Sequence, residues 1–324
     1  MQTLFQRPDR LNQTLYVVTT VFNSARYRSR WKHYQDFAAY VNRHHGVELY
    51  TVEIAFGDRE FSVTEAGNPK HLQLRTGAEI WHKERSLNLL VQRLPRDWQK
   101  VAIIDADVQS LRPDWFDETK HELERFDVVQ MWSKAYDLSP QGEFIQEHKS
   151  FASCYNSNMP LNEAPKYYYR DGHIVYWHPG YAWGWRRDAW ETTGGLLDSA
   201  ILGSADFHMA HALVGNVEAT LQKGLHWEYK RYIMEWQERA LELKKNIGFV
   251  PGGIHHAWHG AKVARRYKSR SNILENNKFH PRRDLTLDWQ GLYQLSHKAP
   301  ISLRDEARKY FMERNEDSVC PYGH

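Results

Sequence analysis

Cysteine and long apolar runs are both scarce in this chain of 324 residues. Cys154 and Cys320 are the only cysteines, which is too few for a disulfide framework or a cysteine-rich zinc site, and a reducing compartment is the simplest setting. No apolar run approaches the roughly 18 residues that a membrane-spanning helix needs. The first residues lack a basic segment followed by an apolar one, so we expect no secretory signal. These absences favour a cytoplasmic protein without a membrane anchor.

Several catalytic signatures are missing as well. The sequence contains no Gly-x-Ser-x-Gly, no glycine-rich phosphate loop ending in Lys-Ser/Thr and no His-Glu-x-x-His. Gly194-Gly195 does not begin a dinucleotide fingerprint, because it follows no predicted strand and lacks the third glycine. The common serine hydrolase, phosphate-loop, zinc peptidase and dinucleotide-binding classes are therefore disfavoured.

What the sequence does contain is the composition of an ordinary globular protein, with 41% hydrophobic and 26% charged residues. Its length fits one large or two small domains. The net charge is only +3, but residues 262–283 hold eight lysines and arginines against one acid. This basic run, interleaved with Tyr267 and Phe279, suits phosphate groups in a nucleotide or along a nucleic-acid backbone, and a solvated basic face explains it equally well.

Strands and helices alternate along the first third of the chain. The β-branched and aromatic run 15–22 predicts a first strand, followed by a polar loop and an amphipathic helix. Further strands are predicted at 47–55 and 100–105, with an irregular stretch at 62–74 and a helix over 81–94 between them. This alternation predicts an α/β fold with a mixed, mostly parallel sheet flanked by helices. Ligands of such sheets bind beyond the carboxyl ends of the strands.

Later segments are less regular. We expect a strand at 126–132, a long polar loop at 139–171, and helices at 207–214 and 225–245. The remainder of the chain is expected to be helical and irregular.

The most informative stretch is Asp105-Ala106-Asp107, which follows an apolar strand. If that strand persists, the spacing puts both carboxylates on one side of it. Hard cations such as Mg²⁺ and Mn²⁺ prefer oxygen ligands and often carry substrate phosphates. The pattern predicts a divalent metal site, and a solvated acidic turn is the alternative.

A second group of chemically capable residues lies later in the chain. His255, His256 and His259 fall within five residues on a glycine-flanked segment, just ahead of the basic run, and are candidate metal ligands or acceptor contacts. Asp206 opens a predicted helix, where it acts either as a cap for free amides or as a functional acid.

In their order along the chain, these features resemble the nucleotide-sugar-dependent glycosyltransferases of the GT-A fold, a Rossmann-like α/β architecture. The matching parts are residues 17–26, Asp105-Ala106-Asp107, Gly180, Arg186-Arg187, Gly194-Gly195-Leu196-Leu197-Asp198, Asp206 and His259-Gly260. The resemblance covers residues 15–270. It departs from the family at Ala205-Asp206, where an acid pair is usual, and this leaves Asp206 as the single candidate base there. The sequence does not decide between Asp198 and Asp206 as the base, although Asp206 at a helix start is better placed.

The resemblance implies roles for individual residues. Asp105, Asp107 and His259 would hold Mn²⁺ or Mg²⁺ on the donor diphosphate, and Asp206 would deprotonate the acceptor hydroxyl with inversion. The donor nucleotide, most simply a UDP-sugar, would contact Thr20, Phe22, Asn23, Arg26, Glu53, Asp105, Lys262 and Arg266. Sugar or acceptor contacts would come from Gly180, Trp183, Trp185 and His256. A retaining course stays open, because His259-Gly260-x-Lys262 also resembles the closing motif of retaining members.

The implied domains are a GT-A catalytic domain over residues 1–260 and a basic extension over 261–324 that packs on it. The chain looks similar to phage-type enzymes that glycosylate hydroxymethylated pyrimidines in DNA, so duplex DNA is the preferred acceptor, reached in a host cytoplasm if the chain is phage-encoded. The alternatives are a surface glycan, a lipid-linked sugar or a protein as acceptor. A sugar nucleotidyltransferase and a non-catalytic glycan- or DNA-binding protein are the other hypotheses.

Overall fold

The strand at residues 15–22 forms the centre of the main sheet, as its apolar and β-branched sequence predicts. The computed structural model describes residues 14–161, 168–170, 173–175, 177–266 and 269–319. Its main sheet has seven strands in the order β13-β6-β12-β4-β1-β2-β3. These strands are β1 (Leu15–Phe22), β2 (Val47–Phe56), β3 (His71–Thr76), β4 (Lys100–Ile104), β6 (Val128–Gln130), β12 (Ala182–Arg186) and β13 (Ile247–Phe249).

Strand direction decides which loops meet. The strands β4, β1, β2 and β3 pair in parallel, β13 pairs in parallel with β6, and only β12 runs antiparallel to its neighbours β4 and β6. The predicted mixed, mostly parallel sheet is therefore confirmed. The carboxyl ends of β1, β2, β3 and β4 lie along one edge, which is where ligands of such sheets bind.

Helices cover the sheet. Side chains alternate between the two faces of a strand, so Val17 and Val18 of β1 enter two different apolar clusters. The helices are α1 (Arg28–Val41), α2 (Lys83–Val91), α3 (Trp115–Glu122), α4 (Phe151–Asn156), α5 (Arg187–Thr193), α6 (Ala205–Leu213), α7 (Trp227–Leu241), α8 (Ser271–Asn276), α9 (Pro281–Asp284) and α10 (Ile301–Met312). Within the described ranges, no helix has the length and apolar character needed to span a membrane.

A second, five-stranded sheet has the order β11-β8-β7-β14-β5. Its strands are β5 (Val108–Ser110), β7 (Lys134–Leu138), β8 (Phe144–Ser150), β11 (Trp177–His178) and β14 (Gly253–His256). Two hairpin-like pairs complete the strands, β9 (Tyr168–Arg170) with β10 (His173–Val175) and β15 (Leu285–Leu287) with β16 (Tyr293–Leu295). Because β5 follows β4 after three residues, the second sheet begins directly at the carboxyl edge of the first.

Two sequence predictions of local structure are wrong. The stretch 62–74, expected to be irregular, ends in β3, which pairs in parallel with β2 and buries Leu72 and Leu74 on one face. Residues 139–161, expected to be loop, contain β8 and α4. The alternation in β3 extends over only six residues and β8 is mostly polar, so pairing with a neighbouring strand decides where these strands form.

The basic C-terminal segment packs on the main core. Phe279, Leu303 and Tyr310 are buried in the same apolar cluster as Val18 of β1. The basic run is largely engaged in ion pairs. Among its described residues, Lys262 pairs with Asp137, Arg266 with Glu313, Arg282 with Glu228 and Glu235, and Arg283 with Asp284.

Buried histidines make stability depend on pH. Burial lowers the pKa of His208 from 6.5 to about 4, so below pH 6.5 the unfolded chain binds a proton that the folded chain does not. Stability is therefore lost as the pH falls through this window. In a His208→Gln variant, which retains a partner for Thr220, the slope of unfolding free energy against pH should fall by about 1.4 kcal/mol per pH unit. Urea unfolding between about pH 4.5 and 6 measures this slope, and equal slopes in both proteins would contradict it.

Candidate active site

The turn between β4 and β5 carries the two acids that the sequence singles out. The spacing predicts the two carboxylates on one side only if the strand persists, and β4 ends at Ile104, so Asp105 and Asp107 lie in the turn that follows. The amide of Asp105 donates to the carbonyl of Tyr181, at 2.8 Å, just before the antiparallel strand β12. The turn thereby directs the two carboxylates to different partners.

Asp107 faces two histidines from the other end of the chain. His256 ends β14, which pairs antiparallel with β5, and the amide of Ala257 donates to the carbonyl of Asp107 at 2.8 Å. His259 Nδ1 lies 2.6 Å from Asp107 Oδ2, and His256 Nε2 lies 3.7 Å from the same oxygen. One candidate ligand atom from each of Asp107, His256 and His259 falls within 4.8 Å of the others.

These three side chains fit a divalent cation. Asp107 Oδ1 and His256 Nε2 are buried and have no hydrogen-bond partner among the described residues. Burial lowers the pKa of His256, but contacts with Asp107 and Asp137 on either side overcome this and raise it to about 9, so the position favours positive charge. One carboxylate and two imidazoles suit ions such as Mn²⁺ or Zn²⁺. A bound ion would give the two buried atoms their missing partner.

Asp137 on β7 stands behind His256. The side chain is 6% exposed, and its Oδ1 lies 2.7 Å from His256 Nδ1, while Oδ2 lies 2.5 Å from Lys262 Nζ. This contact fixes the tautomer and ring orientation of His256, so that Nε2 points at Asp107. A carboxylate behind a ligating histidine is a recurring feature of metal sites. No sequence signal pointed to Asp137, since the pairing of β7 with β14 alone brings it there.

Asp137→Asn should lower Mn²⁺ affinity by about 10- to 100-fold, because the neutral amide orients His256 less strongly and makes it a weaker base. Electron paramagnetic resonance of free Mn²⁺ measures the affinity directly. The matched control is Asp36→Asn, since Asp36 is a half-exposed carboxylate on α1 paired with Lys32. An unchanged affinity in Asp137→Asn would exclude an orienting role.

The loop that carries His259 is fixed by the C-terminal segment. Arg265 donates to the carbonyl of His259 at 2.8 Å. Gly260 has φ of 94°, and a Cβ there would meet backbone atoms of residues 314–316 at about 3 Å. Glu316, in turn, pairs with Arg30 and Arg314. These contacts hold His259 against Asp107.

Asp105 lies outside this three-residue group. Its carboxylate forms an ion pair with Lys83, the first residue of α2. Burial raises the pKa of Asp105 although Lys83 acts against it. Its predicted role as a metal ligand stays a prediction, and Lys83 is a cation near the site that sequence reasoning missed.

Asp206 lines the same cavity as Lys83, the ion-pair partner of Asp105. It lies in the first turn of α6, after Ser204 in the left-handed conformation at φ 80°, and its Oδ1 accepts the amide of Phe207 at 2.9 Å. Its other oxygen faces Gly180, where a Cβ would lie 2.7 Å from Asp206 Oδ2. Gly180 therefore lets the backbone before β12 approach the acid.

Asp198, the other candidate base, forms hydrogen bonds that stabilise the fold. The carboxylate lies within 3.4 Å of side-chain donors on Arg85, Asn88, Tyr232 and Tyr293. This network ties α2 and α7 to the β15–β16 hairpin, which favours Asp206 as the functional acid.

A small cavity of about 40 Å³ separates Asp206 from α2. Trp183 and Trp185 both line it, but Trp185 is only 2% exposed and packs edge-on against Trp190, which makes it a core residue. Trp183 is partly buried and donates to the carbonyl of Pro179 at 2.6 Å. Glu84 also lines the cavity, and its position was not anticipated.

The residues that are predicted to contact the donor nucleotide do not all lie together. Thr20 and Phe22 lie near the carboxyl end of β1, and Asn23 follows the strand. Thr20 hydrogen-bonds Ser86 at 2.9 Å, and the side chain of Asn23 hydrogen-bonds the backbone of residue 27. Arg26 is exposed with φ of 60°.

Glu53 is 4% exposed, and its carboxylate accepts hydrogen bonds from residues 62–64, so it anchors that loop. Arg266 pairs with Glu313.

Comparisons with known proteins give structural matches only. No protein-family model and no curated protein matches this sequence. A candidate nucleotide-diphospho-sugar transferase from Desulfovibrio desulfuricans matches over 82% of this chain and 98% of its own, at 9% identity and a TM-score of 0.32. A mutant Drosophila β1,4-galactosyltransferase 7, solved with manganese, UDP-Gal and xylobiose, matches over 91% and 98%, at 12% identity and a TM-score of 0.37.

The third of these structures is 4-diphosphocytidyl-2C-methyl-D-erythritol synthase from Anaerococcus prevotii. It matches over 74% of this chain and 88% of its own, at 9% identity and a TM-score of 0.32. With TM-scores this low, these likenesses carry no argument about the activity of this chain.

Proposed function

We propose that this protein is a metal-dependent glycosyltransferase that takes a sugar from a nucleoside-diphosphate sugar. The observation that carries the proposal is a candidate cation site at the carboxyl edge of an α/β sheet, formed by Asp107, His256 and His259. Tyr181 packs against His256 and also lines the cavity that the acid Asp206 lines. The order of these residues along the chain, which resembles the GT-A family, supports the same reaction.

The chain's own residues supply three functions in this reaction. Asp107, His256 and His259 would hold the ion, whose chemistry is to stabilise the negative charge of the departing diphosphate. Lys83 and Lys262 add positive charge on either side, paired with Asp105 and Asp137.

Asp206 is the proposed base. Its Oδ2 faces Gly180 at the edge of the cavity, and it would take the proton of an acceptor hydroxyl as that oxygen attacks the anomeric carbon. A single base acting on the attacking hydroxyl gives inversion.

The test is hydrolysis of a panel of nucleotide sugars with Mn²⁺, with and without EDTA, with released nucleoside diphosphate as the readout. Turnover of one donor that EDTA abolishes would support the proposal and identify the nucleotide and sugar. Pyrophosphate release from a nucleoside triphosphate and a sugar phosphate, without cleavage of any nucleotide sugar, would indicate a nucleotidyltransferase instead. No turnover and no binding of any donor would contradict an enzymatic role.

The proposed acceptor is a hydroxymethylated pyrimidine base in DNA. It rests on the basic run 262–283, where phosphate contacts would position a duplex while a base is extruded towards Asp206. Many of these side chains already pair with carboxylates, so duplex binding requires phosphates to replace or share those pairs at residues that reach solvent, such as Arg282, whose side chain is 59% exposed. Salt-sensitive binding to duplex DNA, and faster donor turnover with hydroxymethylated DNA, are the expected results. Absence of binding at low salt would direct the search to glycan, lipid-linked or protein acceptors.

A further inference from the structure

The cavity beside Asp206 is too small for a sugar ring. Its volume of about 40 Å³ is enough for roughly three water molecules, since one water needs about 10–15 Å³ by the same measure. A substituent of two heavy atoms, such as a hydroxymethyl group, has the matching size. The cavity lies between β4, β12, α2 and α6.

The lining of the cavity is mostly apolar, with a few charged or acidic side chains. Most of the wall is apolar, with Trp183, Met209 and Leu213 among its residues, and the charged or acidic side chains are Lys83, Glu84 and Asp206. A hydroxymethyl group matches this division, because its carbon packs against apolar atoms while its hydroxyl both donates and accepts a hydrogen bond.

Glu84 is the unexplained member of this set. Glu84 is 5% exposed, and the backbone amide of the same residue hydrogen-bonds its carboxyl. Burial raises the pKa of Glu84 to about 8, although Lys83 acts against this, so the group is largely protonated at neutral pH. A protonated carboxyl donates a hydrogen bond through its O–H and accepts one through its carbonyl oxygen. Glu84 alone is thus complementary to a single hydroxyl, which leaves Asp206 for the acceptor.

We propose that this cavity is the subsite for the exocyclic hydroxymethyl group of the transferred sugar, and that Glu84 is the residue that selects a hexose over a pentose. The inference rests on the proposed function and adds the class of donor sugar. A pentose lacks the group and would leave Glu84 without its ligand partner. A uronic acid would bring a carboxylate towards Asp206.

UDP-glucose and UDP-xylose form the matched pair for the test, because they differ only in the hydroxymethyl group. Their affinities for the Mn²⁺-loaded protein are measured by calorimetry, alongside UDP, and the corresponding dTDP- and GDP-linked pairs cover the other bases. Wild type is expected to bind the hexose at least about tenfold more tightly than the pentose, since a lost buried hydrogen bond carries a penalty of that order.

Variants assign the preference to Glu84. In Glu84→Ala, the ratio of the affinity for the hexose donor to that for the pentose donor should fall to near one. The affinity for the nucleoside diphosphate without a sugar should be unchanged. Glu84→Gln, whose amide still donates a hydrogen bond, should keep most of the preference for the hexose. Glu238→Ala on the exposed side of α7 is the control and should behave as wild type.

Each outcome is decisive. Equal affinity of wild type for hexose and pentose donors would overturn the subsite while leaving the glycosyltransferase proposal intact. An equal loss of affinity for the hexose and pentose donors in Glu84→Ala, with binding of the nucleoside diphosphate retained, would overturn the assignment to Glu84. Failure of every nucleotide sugar and nucleotide diphosphate to bind would overturn the inference together with the proposed function.

Discussion

Asp107→Asn is expected to lower Mn²⁺ affinity by about a hundredfold or more, beyond the 10- to 100-fold effect of removing an orienting partner. Asp107 is the carboxylate between His256 and His259, and its Oδ1 is one of the buried atoms that lack a partner. The neutral amide removes the negative charge that holds a cation against two imidazoles. Electron paramagnetic resonance of Mn²⁺ provides the readout without requiring any activity.

The matched control for this variant is Asp117→Asn on α3, where the carboxylate is 73% exposed. It should bind Mn²⁺ like wild type. Asp105→Asn is informative beside it, since Asp105 pairs with Lys83 and lies outside the three-residue group. A wild-type affinity in Asp107→Asn, with a loss in Asp105→Asn, would move the site to the other acid of the turn.

Asp206→Asn is expected to lower kcat for sugar transfer by about 10²- to 10⁴-fold, the usual contribution of a general base. The amide keeps the shape of the side chain and can still accept the amide of Phe207, so the start of α6 should be preserved. The KM for the donor should change little, because the proton is removed only as the acceptor attacks. Steady-state kinetics with the donor found in the hydrolysis panel measure both constants.

Asp198→Asn is the comparison for that experiment. Asp198 is bonded to Arg85, Tyr232 and Tyr293, so its replacement should lower thermal stability more than it lowers kcat. The opposite pattern, with kcat lost in Asp198→Asn and retained in Asp206→Asn, would assign the base to Asp198.

The local sequence was sufficient for the main strands and for the position of the acidic turn. The run 15–22 forms β1 with the bounds that its composition predicts, and β2 and β4 end within one residue of the predicted positions. Long apolar strands are readable because their side chains are buried on both faces whatever surrounds them. Asp105 and Asp107 could be placed at the carboxyl edge for the same reason.

Which side chains meet was decided by the tertiary structure. Asp137 and His256 are 119 residues apart, and Asp107 and His259 are 152 apart, so only the pairing of β14 with β5 and β7 brings them together. Glu84 lies in the predicted helix 81–94, and only the tertiary structure shows that it is buried beside the cavity that α2 and α6 line.

The sequence by itself determined the alternation of strands and helices and one acidic turn, because these depend on neighbouring residues and on periodic burial. Only the tertiary structure separated Asp105, paired with Lys83, from Asp107, joined to the two histidines. The physical reason is that an ion pair or ligand group depends on atoms a few ångströms apart in space, and a local pattern carries no information about such distances between remote segments.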